Sequence, residues 1–80
     1  MTVGEALRKR ILGLCDERGI TVNRLATISG VTQSTLNNIV SGRNESATVS
    51  TVKKLCDGLD ISIGEFFSAP VFDGLEQELK

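Results

Sequence analysis

An all-α fold class follows from three features of this 80-residue chain. Apolar residues recur at helical spacing, as in Leu7, Ile11, Leu14 and Cys15 and again in Val49, Val52, Leu55, Cys56 and Leu59. No window sustains the alternation of polar and apolar residues that marks a half-buried strand. Hydroxyl residues and glycines fall where helices need starts and stops. Together these predict a compact five-helix domain.

Thr2-Val3-Gly4-Glu5 has the form of a capping box, in which hydroxyl and carboxylate satisfy free amides at a helix start. The helix it opens should end at Arg18, with Gly19 just beyond. Thr21 caps a short second helix whose inward residues are read as Val22, Leu25, Ala26 and Ile28, and Gly30 ends it. Thr32 caps a third helix, closed by Gly42. After a polar loop over 43–47, Thr48 caps the fourth stripe, which begins at Val49. Ser62-Ile63-Gly64-Glu65 is a second capping-box pattern, opening a fifth helix that contributes Ile63, Phe66 and Phe67. Pro70 breaks that helix. The expected organisation is one domain over 1–69, with a helix-turn-helix unit at 21–41, and a tail over 70–80.

Composition excludes several classes of function. No run of 18 apolar residues exists, so no membrane-spanning helix is expected. Met1 to Val3 leads straight into a helical pattern, without the basic and apolar regions of a signal peptide, which predicts a cytoplasmic protein. There is no His, no Gly-rich phosphate loop and no well-placed carboxylate pair, so no enzyme is read here. No cofactor, metal or small-molecule ligand is expected. Cys15 and Cys56 both fall on apolar stripes and read as reduced, buried hydrophobes.

Net charge is −1, but its distribution is uneven. Between Arg18 and Asn44 the only charges are Arg18, Arg24 and Arg43, whereas from Asp60 onward the sum is −4. The basic part contains an unusual helix. On the third helix Leu36, Ile39 and Val40 form the apolar stripe, and Gln33, Ser34, Asn37, Asn38 and Ser41 fill the opposite arc. That face is polar yet uncharged. A solvated face would use Lys, Glu and Arg, because Asn and Ser are poorer helix formers by several tenths of a kcal/mol each. Side chains of fixed reach that both donate and accept suit the edges of DNA bases.

Two helices joined by a short Gly-containing turn, the second with a polar reading face, are the pattern of a helix-turn-helix. Ile20-Thr21-Val22-Asn23-Arg24-Leu25-Ala26 resembles the second-helix segment of the Cro/C1-type (xenobiotic-response-element-like) regulators. Gly30-Val31-Thr32-Gln33-Ser34-Thr35-Leu36-Asn37-Asn38-Ile39 with Ser41-Gly42 is similar to the turn and recognition helix of that family. Thr48 to Val52 and Leu59 to Phe67 resemble its fourth and fifth helices. The resemblance covers roughly residues 5 to 67. It implies a lambda-repressor-like domain that binds operator DNA, usually as a homodimer, in a prokaryote or phage. The chain departs from the pattern with Val22 where many members carry Gln, Val40 where many carry Glu, and Ala47 near a frequent Pro.

On that reading Gln33, at the first turn of the third helix, is the principal base reader. Its amide can both donate to and accept from adenine, a match worth about 1–3 kcal/mol of discrimination. Ser34 and Asn37 share its face, and Thr35 offers a methyl to thymine or packs inward. Thr21, Asn23 and Thr32 stand at helix starts, where free amides favour a phosphate. Arg43 and Asn44 follow the third helix and should run along the sugar-phosphate backbone, with Arg24, Asn38 and Ser41 as further backbone contacts. Arg8, Lys9 and Arg10 read as solvated surface paired with Glu5 and other acids. The predicted partners are double-stranded DNA and a second copy of the chain, with Phe67, Val71 and Phe72 as the dimer surface. The alternative is a protein-interaction or antitoxin-like module on the same fold.

Overall fold

The computed structural model describes residues 1–43 and 46–79. It contains helices α1 (Val3–Arg18), α2 (Val22–Ser29), α3 (Gln33–Val40), α4 (Val49–Leu59) and α5 (Ile63–Phe67), then a 3-10 turn at Pro70–Phe72. No strand occurs among the described residues. The all-α, five-helix expectation therefore holds, and each boundary has a local cause. Thr2, Thr21, Thr32, Thr48 and Ser62 are all extended N-caps whose hydroxyls accept the backbone N–H three residues on. At Thr2 the box is complete, because its backbone N–H donates to Glu5 Oε1 at 3.1 Å. That bond, with a second from the Thr2 hydroxyl, holds the Glu5 carboxyl below the usual carboxylate range.

The C-terminal stops differ from one another. Gly30 ends α2 at φ 70°, a left-handed conformation that lets Val31 N–H return to Ala26 O at 3.0 Å and redirects the chain into α3. Asp60 ends α4 in the same conformation, at φ 57°. A carboxylate at a helix C-terminus, in a conformation that Asn adopts more readily, is unfavourable on both counts. Asp60→Asn is expected to stabilise the domain by about 0.3–1 kcal/mol. A urea midpoint that fails to rise would show that Asp60 makes a compensating contact.

α2 is central to the packing: it lies against both α3 and α4, while α1 covers α3 and the 3-10 turn and α4 packs on α5. The core is Leu7, Ile11, Leu14 and Cys15 from α1, Leu25 and Ala26 from α2, Leu36 and Ile39 from α3, Val52, Leu55, Cys56 and Leu59 from α4, and Phe66. Three residues read as inward are not, one of them Phe67 of α5, which is 43% exposed. Ile28 is 41% exposed, because Ser29 is the residue of α2 that meets α4, beside Gly58. Val49 is 75% exposed: it occupies the first turn of α4, past the end of the core that covers Val52.

The surface reading of Arg10 also needs correction. Its Nε donates to Phe66 O at 2.8 Å and a terminal nitrogen donates to Glu65 O at 3.0 Å, and the guanidinium stands 5.8 Å from the Phe66 ring centre. Arg10 thus ties α1 to the last carbonyls of α5, where a cation is favoured. The following segment folds back as well. Phe72 packs against the core, its ring centre 4.9 Å from that of Phe67, and Glu76 N–H donates to Met1 O at 2.9 Å.

Both cysteines are buried and free. Burial pushes each thiol above its ordinary range. As pH rises, the unfolded chain ionises first, near the ordinary thiol pKa of about 8.5. Stability is therefore full below that pH and lost progressively above it. Urea midpoints measured from neutral pH to about pH 10 should fall more for the native chain than for Cys15→Ala/Cys56→Ala. Parallel curves would rule out the thiols as the cause.

Candidate nucleic-acid interface

Leu36 and Ile39 are buried and Val31 and Val40 pack against the same core, so one side of α3 is fixed to the domain. The other side is left to solvent. Gln33, Ser34, Thr35, Asn37 and Ser41 are exposed, and Asn38 is half-buried. Thr32 cannot act as a free hydroxyl: it accepts Thr35 N–H at 3.2 Å and donates to Thr35 Oγ1 at 2.7 Å. The hydroxyl of Thr35 is thereby engaged at the helix start. Ser41 Oγ likewise donates to Asn38 O at 3.3 Å.

Beside α3 lies an open groove of about 240 Å³, lined by Thr35, Ile39, Ser46, Ala47, Thr48 and Thr51. It brings the capped end of α4 next to the first turns of α3. On the other flank, Asn37 Nδ2 donates to Asn23 Oδ1 at 3.1 Å, linking α3 to the first turn of α2. Thr21, Asn23 and Arg24 are exposed there, and Thr21 Oγ1 accepts Arg24 N–H at 3.0 Å. Arg43 is exposed just past Gly42, which has φ 84°. Asn44 lies outside the described residues. Val22 is half-buried against the core, so the side chain at that position serves packing.

Among the described residues, the expected readers thus lie on the exposed side of α3, and the expected backbone contacts lie at its two ends and at the start of α2. The Asn23–Asn37 bond was invisible to periodicity, since the two residues are 14 apart and on different helices. Arg10 was missed for the same reason, its partners lying 55 and 56 positions away.

A short helix, a turn built on a left-handed glycine and a second helix with an exposed polar face define a helix-turn-helix protein. The Cro/C1-type HTH DNA-binding domain matches residues 10–70. The chain belongs to that family, which is one of DNA-binding domains and not of enzymes. It is 37% identical over 57 residues to the HTH-type transcriptional repressor RghR of Bacillus subtilis (strain 168), covering 71% of this chain and 42% of that protein. It is 34% identical over 67 residues to the HTH-type transcriptional regulator PuuR of Escherichia coli (strain K12), covering 84% and 36% respectively. The chain therefore spans about two fifths of the length of these relatives. The crystal structure of the prophage Lp1 protein 11 superimposes with a TM-score of 0.80 at 34% identity, covering 94% of this chain and all of that one. No helix among the described residues is long and apolar enough to cross a membrane.

Proposed function

We propose that the protein is a transcriptional regulator, repressor-like in action, that reads a short operator half-site with α3 in the major groove. The observation that carries this reading is the division of α3 itself: Leu36 and Ile39 are buried, while Gln33, Ser34 and Asn37 stand exposed on a face without charge. Gln33 is the principal reader, with Ser34, Asn37 and Thr35 beside it. Thr21, Asn23, Arg24, Thr32, Asn38, Ser41, Arg43 and Asn44 contribute backbone contacts, which fix register without carrying sequence information. The hydroxyls of Thr32 and Thr35 are already bonded to each other, so Thr32 contributes chiefly through the amides it orders and Thr35 through its methyl.

A single domain of this size makes few base contacts, so it acts as a homodimer on a two-fold site. Half-site centres would lie about 34 Å apart. The dimer contact we propose lies on the C-terminal side and uses Phe67, which is 43% exposed, and Val71, which is half-buried. Phe72 is turned toward the core and supports that surface from behind.

Selection of bound sequences from random duplex DNA tests the reading in one experiment. A two-fold motif is expected. Gln33→Ala should relax preference at one position per half-site, worth about 1–3 kcal/mol. Arg43→Ala should weaken all sequences alike and reduce the slope of log affinity against log salt by about 0.9 for each phosphate it no longer neutralises. Failure to enrich any motif would favour a protein-interaction module, and a motif without symmetry would count against the dimer.

A further inference from the structure

Asn23 and Asn37 are exposed residues on different helices, yet their side-chain amides are joined by a hydrogen bond of 3.1 Å. We infer that Asn23 is a positioning residue for base recognition: it holds the Asn37 amide in the orientation that presents an oxygen, Oδ1, to the major groove. This inference rests on the DNA-reading function proposed above and adds to it a direction for one contact.

The chemistry of the pair gives that direction. A carboxamide has two N–H donors and one oxygen with two lone pairs. With one N–H of Asn37 committed to Asn23, its Oδ1 becomes the group best placed to meet a partner. With Oδ1 of Asn23 committed in return, its NH2 is what remains to face outward. Asn37 also keeps one N–H and Asn23 one lone pair, but the groups left wholly unused are of opposite polarity, Oδ1 on Asn37 and NH2 on Asn23. Asn23, in the first turn of α2, offers donors, which suit a phosphate oxygen. Asn37, in the middle of α3, offers an acceptor, which suits the amino group of adenine or cytosine in the major groove. Turning both amides over would keep a bond between them but would aim an oxygen at the phosphate, where charge opposes it. Docking on the backbone at Asn23 therefore selects the rotamer in which Asn37 reads. Without Asn23, the Asn37 amide rotates freely and can accept from adenine or cytosine or donate to guanine or thymine with little preference.

Neighbouring bonds leave this pair free to act. Thr27 Oγ1 donates to the backbone carbonyl of Asn23, at 3.0 Å, and not to its side chain. The start of α2 is capped by Thr21, so Asn23 is not needed to begin the helix. Substitution at either exposed position should leave the fold intact.

The test uses the full chain and its Asn23→Ala, Asn37→Ala and doubly substituted variants. In the free protein, the side-chain NH2 resonances of Asn37 should shift in Asn23→Ala; unchanged resonances would show that the bond does not form and would overturn the inference without touching the proposed function. In selections from random duplex DNA, Asn37→Ala should flatten an adenine or cytosine preference at one position of each half-site. Asn23→Ala should weaken preference at that same position by about two- to tenfold. The double variant should lose no more preference there than Asn37→Ala alone. If Asn23→Ala lowers affinity for all sequences equally and leaves that position as selective as before, Asn23 is a phosphate contact only and the inference fails. If the native chain enriches no motif, the proposed function fails and the positioning role with it.

Discussion

Phe66→Ala is expected to bring the domain close to unfolding at physiological temperature. Phe66 is fully buried and is the largest side chain in the core. Its ring packs edge-on against Phe67, with centres 4.9 Å apart, and against Phe72 at 6.0 Å, while the Arg10 guanidinium covers another side. Truncation removes the burial of the ring and leaves a cavity, together costing about 3–5 kcal/mol. A chain of this length has a total stability of roughly 4–12 kcal/mol. Each kcal/mol corresponds to roughly 4–8 °C in a domain of this size, so Tm should fall by more than about 12 °C. Thermal unfolding followed by circular dichroism reads this directly. Leu12→Ala, at a partly exposed position of the same α1, is the control and should change stability by about 0.5 kcal/mol or less. Similar losses from both would mean that Phe66 does not close the core.

A smaller change at Gly58 should also destabilise, against the usual preference for Ala in a helix. Gly58 lies within α4, where Ala would ordinarily gain about 1 kcal/mol. A Cβ there would stand 2.1 Å from Ser29 Oγ, 3.1 Å from its Cβ and 3.2 Å from its Cα. Rotating the hydroxyl relieves only the first of these contacts. The other two require α2 and α4 to separate, and overpacking of this kind costs about 1–3 kcal/mol. Ser29 Oγ is already buried without a hydrogen-bond partner, so it has no bonded position to return to. Because α2 is also the first half of the helix-turn-helix, Gly58→Ala should weaken DNA binding as well as stability. Ser29→Gly should recover part of both losses, and a double-mutant cycle in urea measures that coupling. Additive effects would show that the two residues do not limit the approach of the helices.

Much of this architecture could be read from the chain because its signals are local. A capping hydroxyl acts on an amide three residues away, and a left-handed glycine acts on the turn that contains it, so all five N-caps and the stops at Gly19 and Gly30 were legible. The face of α3 that enters the core was legible for the same reason, since Leu36 and Ile39 follow the helical period. What a helix meets is not local. Val49 continues the stripe of α4 but overhangs its end, and Ile28 is displaced by Ser29 because Gly58 makes room on that side. The left-handed Asp60 was missed because the residue type gives only a weak signal for that conformation. At the interface, residue types pointed to a reading helix, but the pairing of Asn23 with Asn37 depends on the crossing of two helices and no spacing rule contains it.

The threonine caps carry an electrostatic consequence that the formal charge conceals. α2, α3 and α4 have no carboxylate in their first turns, whereas α1 has Glu5 and α5 has Glu65. These three helices, which meet at the exposed polar face of α3, thus begin with neutral caps and macrodipoles without a nearby carboxylate in the first turn, each equivalent to roughly half a positive charge at its N-terminus. Asn23 and Thr48 place the starts of α2 and α4 against the flanks of α3. An approaching polyanion would therefore sense a positive potential from the backbone itself, added to that of Arg24 and Arg43, in a chain whose net charge is −1.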